Sequence, residues 1–142
     1  MSTPLDPLKS VDLSHLSKEE AKEFTILLEE LEKREKRESS MASFYDFVKA
    51  IWPEFIAGAH HKKMAEAFDK IASGESKRLI INMPPRHTKS EFASYLFPAY
   101  LLGKRPKLKI IEATHTADLA INFGRRVRDL LESEEYAEIF PA

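Results

Sequence analysis

No cysteine occurs in the chain. That excludes disulfides and thiolate metal sites and fits a reducing compartment. Glycine is scarce, four residues in 142, and none stands where a phosphate loop of the ordinary G-x-x-x-x-G-K-[ST] pattern needs one. Neither sign of charge is in excess: 22 basic against 23 acidic residues leave a formal charge of -1. Total charge therefore predicts no nucleic-acid binding, and a DNA partner would need a local basic patch. No apolar run approaches the length of a membrane span, and the N-terminus lacks the basic-then-apolar order of a signal peptide, so the expectation is a cytosolic chain. A length of 142 residues suits one ordinary core and one domain. Hydrophobic residues at 43% and charged residues at 32% describe a globular protein with a helix-rich surface.

What is present is organised around residues 78–90. Leu79, Ile80 and Ile81 form an apolar run of the length of a strand buried on both faces. Pro84 and Pro85 then forbid helix, and Lys89-Ser90 opens one. Strand, loop, Lys-Ser, helix is the layout of a P-loop. Its physical logic is anion capture: unpaired N–H groups at a helix start, the positive end of the helix dipole and a lysine point charge converge on phosphate. In that reading Lys89 takes the outer phosphates of ATP and the Ser90 hydroxyl is a ligand for Mg2+. The backbone of Pro85, Arg86, His87, Thr88, Lys89 and Ser90 is the cradle. The bland alternative is that Ser90 is an N-cap beside a solvated lysine.

Along the chain, residues 1–16 hold Pro4 and Pro7 and read as an extended arm. Ser17 and Glu20 form a capping box that starts a helix, with Ala21, Phe24, Leu27, Leu28 and Leu31 as its apolar stripe before a run of mixed charge. That helix either packs on its own domain or docks on another subunit. Ser39-Ser40 is expected as a hinge or break, separating an N-terminal arm and charged amphipathic helix over 1–40 from the N-terminal portion of a P-loop ATPase domain over 41–142. Ser43 and Asp46 repeat the capping spacing for a second helix carrying Phe44, Phe47, Val48, Ile51 and Trp52, stopped by Pro53. His60 and His61 open a third helix, with Met64, Ala65, Phe68, Ile71 and Ala72 on one side and Gly74 as C-cap. Adjacent histidines do not face the same way on a helix, so no two-histidine metal site is expected.

A helix from Ser90 to about Leu102 should kink or end early at Pro98. A second buried strand over 109–114 and a helix from Thr116, with Leu119, Ala120, Phe123, Val127, Leu130 and Leu131 facing the sheet, complete a strand-helix-strand-helix unit. This predicts an α/β fold, a partial parallel sheet of the P-loop NTPase (RecA/ASCE-like) kind after a helical N-terminal segment, with the 83–90 loop and the 114–118 turn on one sheet edge. Arg125, Arg126 and Arg128 are either a solvated face or a contact for DNA backbone or a neighbouring subunit.

The blocks at 78–103 and at Thr114-His115-Thr116-Ala117-Asp118 with Phe123-Gly124-Arg125-Arg126 resemble the ATPase domain of large terminase subunits, the DNA-packaging motors of tailed bacteriophages. The likeness covers roughly residues 43–140. The family's loop runs Pro-Pro-Arg-His-Gly-Lys-Ser, and this chain departs from it at Thr88. The resemblance implies an ATP-binding part of a motor that couples ATP hydrolysis to translocation of double-stranded viral DNA into a procapsid. The implied partners are the portal protein, the small terminase subunit and further copies in a ring, at the portal vertex in the host cytoplasm. It makes Arg86 a γ-phosphate sensor and places an adenine contact near His60 and His61, where relatives carry glutamine.

Hydrolysis of this kind requires an apolar strand ending in two acidic residues. None occurs, and Glu112 has no companion carboxylate. The chain is therefore expected to be the front part of an ATPase domain and a poor enzyme alone. Two alternatives stand beside this: a segment of another P-loop DNA translocase or helicase, or a docking module with a degenerate loop that binds a partner instead of ATP. Thr88 weakens phosphate binding if its position needs positive φ, and serves as well as glycine if it does not.

Overall fold

The computed structural model describes residues 17–141 and divides the chain into two compact units, Met1–Glu38 and Ser39–Ala142. The arm expected over residues 1–16 lies outside the described residues. Six α-helices are described: α1 Lys18–Ala42, α2 Phe44–Ile51, α3 Ala59–Ser73, α4 Phe97–Lys104, α5 Ala117–Leu131 and α6 Glu134–Ile139. A π-helical segment, Glu91–Leu96, runs directly into α4. No helix among the described residues is long and apolar enough to cross a membrane.

The first unit is carried by α1. Its start is the reciprocal box read from the sequence: the Ser17 N–H donates to Glu20 Oε2 at 2.8 Å and the Glu20 N–H donates to Ser17 Oγ at 3.3 Å. The Glu20 carboxyl is held below its ordinary pKa, first by the Ser17 N–H and then by the Ser17 hydroxyl. Ile26, Leu27 and Leu31 are exposed on this helix.

In the second unit the break expected at Ser39-Ser40 falls later. The helix continues through Ala42, Ser40 is buried, and Ser43 leaves the helix in an extended conformation to cap α2, accepting from the Asp46 N–H. A hydroxyl that satisfies an orphan amide decides the boundary, where Ser39 and Ser40 have only weak propensity against helix.

The core is aromatic and belongs to helices. Phe44 is wholly buried, with the rings of Phe47, Phe68, Phe92, Phe97 and Tyr100 at 5.2 to 6.3 Å. Its own N–H, in the first turn of α2, donates to Asp69 Oδ1 on α3 at 2.9 Å. Tyr100 donates to the Met41 carbonyl and Tyr136 to the Ala99 carbonyl, so the large rings satisfy their hydroxyls as they bury. Burial pushes the Tyr136 hydroxyl up to about 12. Gly103 lies under the Phe140 ring; a Cβ there would stand 2.4 Å from a ring carbon.

The expected α/β fold is not formed: no strand occurs among the described residues. Residues 78–84 and 108–114 have no regular structure, and no backbone hydrogen bond joins them. Ile80 is 86% exposed and Ile111 94% exposed, the opposite of strands buried on both faces. Two short runs supply too little pairing to stand as a sheet, which needs three or more strands or a covering layer. A short apolar run is also compatible with several states until its partners are known. The α5 residues Phe123, Val127 and Leu130 are buried as expected, but in a unit with no strand among the described residues. The shared sheet edge proposed for the 83–90 loop and the 114–118 turn falls with the sheet.

Pro98 does not end the helix, which continues to Lys104. It occupies the first turn of α4, and the register ahead of it widens to π, the Phe97 N–H donating to Phe92 O five residues back. The wider ring steps over the donor that proline lacks.

Candidate functional site

Residues 83–90 form a tight loop in which two non-glycine residues take left-handed backbone conformations, Arg86 at φ 63° and Thr88 at φ 56°. For a β-branched threonine this conformation costs on the order of 1 to 3 kcal/mol, and such strain persists only where surrounding contacts hold it. The Thr88 carbonyl accepts from the Phe92 N–H at 2.9 Å and thereby starts the helical run over 89–104. No backbone carbonyl among the described residues accepts from the N–H groups of residues 86–90. These amides sit at a helix start, where the dipole adds partial positive charge.

Ser90 is not the N-cap of the bland alternative. Its backbone is already helical, at φ -73° and ψ -35°, and its side chain makes no capping bond. The hydroxyl is exposed on the first turn. Lys89 is half-buried and folds back across the loop, donating to Met83 O at 3.1 Å and Pro84 O at 3.4 Å. An ammonium carries three protons, so one remains for a further acceptor. Arg86 and His87 are exposed, and His87 Nδ1 lies 2.9 Å from the Pro85 carbonyl.

The two histidines of α3 differ in role. His61 is 7% exposed and stands at the third position of the helix, where its Nδ1 accepts from the Gly58 N–H at 2.9 Å, as a glutamate does in a capping box. Its Nε2 reaches Thr88 Oγ1 at 2.6 Å, and the Thr88 hydroxyl also reaches the His87 carbonyl at 2.7 Å. Burial, then the neighbouring His60 and His87, hold the His61 pKa below its ordinary value. His60 is exposed. The expectation that adjacent histidines diverge is corrected: their ring centroids are 3.8 Å apart. Gly58 permits this, since a Cβ there would meet His60 at 2.9 Å.

Of the sequence-selected residues, Pro85, Arg86, His87, Thr88, Lys89 and Ser90 are consecutive in the loop, His61 bonds to it, and the His60 ring meets the His87 ring edge-on at 5.7 Å. Arg126 is taken up by Glu91 just after the loop, while Arg125 and Arg128 are exposed and Arg128 pairs with Asp129. The Glu91–Arg126 pair and the His61–Thr88 bond had no sequence signal, being 35 and 27 residues apart. Glu112 has one carboxylate oxygen buried without a hydrogen-bond partner among the described residues.

The residues present fit a phosphate: free amides, a lysine with one uncommitted proton and a positive helix end converge there. Among the described residues no cluster of three His, Cys, Asp or Glu could hold a metal ion by itself. A Mg2+ ion at Ser90 would therefore take most of its ligands from phosphate and water, which is its common mode. Compared with known proteins, the chain matches no family model, no curated protein and no solved structure.

Proposed function

We propose that residues 83–90 bind the phosphates of ATP and that the chain is the ATP-binding part of a DNA-packaging motor of the large terminase kind. The observation that carries the phosphate reading is the set of amides of residues 86–90 that no backbone carbonyl among the described residues takes up at a helix start; the positive φ of Thr88 is a cost that weakens binding relative to glycine. In this reading Lys89 neutralises the outer phosphates, the Ser90 hydroxyl completes the shell of Mg2+, and Arg86 senses the γ-phosphate. Bound Mg2+ supplies charge neutralisation along the phosphates; the chain supplies position. The motor reading rests on the likeness of residues 78–103 and 114–126 to terminases, and it brings double-stranded DNA, portal protein and small terminase subunit as partners.

The test is calorimetric titration of the folded chain with ATPγS, with and without Mg2+, beside Lys89→Ala. Binding that Lys89→Ala abolishes supports the loop as a phosphate site. Absence of binding in a chain shown to be helical by circular dichroism refutes it. A second reading, a docking module that binds a partner instead of ATP, is favoured by the exposure of Ile80 and Ile111. It predicts no nucleotide affinity and a stable complex with portal protein, small terminase subunit or DNA.

A further inference from the structure

Thr88 stands where the terminase-like pattern has glycine, and its backbone is in the region glycine enters freely. What holds a threonine there is visible in the hydrogen bonds around it. The Gly58 N–H occupies His61 Nδ1, so the proton of the neutral ring is on Nε2. Nε2–H then donates to Thr88 Oγ1, and the Thr88 hydroxyl donates to the His87 carbonyl. Every donor and acceptor in this chain is used in one direction.

We propose that His61 is the positioning residue of the phosphate loop: its neutral imidazole tethers Thr88 and keeps the turn that presents the amides of residues 86–90. This rests on the phosphate-binding role proposed above and gives that site a regulation. Protonation of the ring would place a hydrogen on Nδ1 against the Gly58 N–H and break the relay at its first link. The titratable groups facing His61 are His60 on its own helix and His87 on the loop; Phe55 and Phe92, the other rings packed on it, carry no charge. Burial first, then charge on His60 and His87, disfavours charging His61, so its neutral, competent form holds at and above the ordinary histidine pKa and is lost as pH falls through the lowered value.

The experiment measures ATPγS affinity of the whole chain between about pH 8 and pH 5.5, across the histidine range, for four variants. His61→Ala should weaken binding roughly tenfold, the worth of about one hydrogen bond. His61→Gln, whose amide can donate to Thr88 Oγ1 but does not titrate, should retain binding and flatten the pH profile. In the Thr88→Gly background His61→Ala should cost nothing, because glycine needs no tether. An equal loss in both backgrounds would overturn the proposal, since a merely structural role of His61 is indifferent to residue 88. A separate readout needs no nucleotide: the His61 Nε2–H proton should be a slowly exchanging NMR resonance that disappears in Thr88→Val. If the wild-type chain binds no ATPγS, the phosphate reading fails and this resonance alone decides the tether. Its loss in Thr88→Val sustains the tether, and its persistence overturns it.

Discussion

Arg126 grips both carboxylate oxygens of Glu91, Nη1 to Oε1 at 3.0 Å and Nη2 to Oε2 at 2.5 Å, with its guanidinium 4.2 Å from the centre of the Tyr95 ring. The pair joins α5 to the first turn after the 83–90 loop. Both side chains are 35% exposed, so solvent screens part of the attraction. Fork geometry and stacking on Tyr95 still set it above an ordinary surface pair. Arg126→Ala should lower stability by about 1 to 2 kcal/mol in urea denaturation. Arg126→Lys should recover less than half, because a point charge neither forks nor stacks as a guanidinium does. Full recovery by lysine would mean that charge alone links the two elements.

The elements that local chemistry governs were legible. Ser17 with Glu20, Ser43 with Asp46, Gly74 at φ 84° and Thr116 bonded to Leu119 all mark helix ends where the sequence placed them, give or take a residue. Each is a bond or backbone angle between near neighbours. The burial of Phe44, Phe47 and Val48 followed from helical spacing in the same way. What failed depended on distant partners. Residues 79–81 and 109–114 looked like strands because they are short and apolar, but a strand is defined by what pairs with it. Helix α6, capped by Ser133, was missed, being only six residues long. The loop itself was legible as a place where Lys-Ser follows two prolines. Its strain at Arg86 and Thr88, and the histidine 27 residues away that meets it, were not.

Asp69 sets a pH dependence of unusual sign. Burial is the main cause that raises its pKa above the ordinary carboxyl value, against the Phe44 N–H and Lys104, which favour the charged form. The folded chain therefore binds this proton more tightly than the unfolded chain does. Stability linked to Asp69 is full below the ordinary value of about 3.9 and declines as pH rises through the raised one. Glu20 works oppositely: its lowered pKa adds stability above the ordinary glutamate value, lost as pH falls through the lowered value. Thermal melts across this acid range should show the two trends separately. Asp69→Asn keeps an oxygen for the Phe44 N–H and should remove the declining component. Asp69→Ala leaves that N–H without its acceptor and should cost about 1 to 2 kcal/mol at acid pH, less as pH rises through the raised value. An unchanged acid profile in Asp69→Asn would assign the trend to another group.

The helical character of residues 39–141 can be tested where it departs most from the sequence expectation. Ile111 is 94% exposed and lies in a segment with no ladder, so Ile111→Lys should change stability by no more than about 0.5 kcal/mol. Phe44 is fully buried among five rings, and Phe44→Ala should cost about 3 to 5 kcal/mol in the same urea titration. The contrast matters because a strand buried on both faces would reverse the first result. A lysine placed inside such a layer must either drag water in or lose its charge, at a cost of several kcal/mol. Ile80→Lys, at 86% exposure, gives an independent repeat on the other apolar run. Two tolerated lysines beside an intolerant Phe44 would place the stability of this unit in its helices. A severe loss at either isoleucine would show that run to be buried in solution.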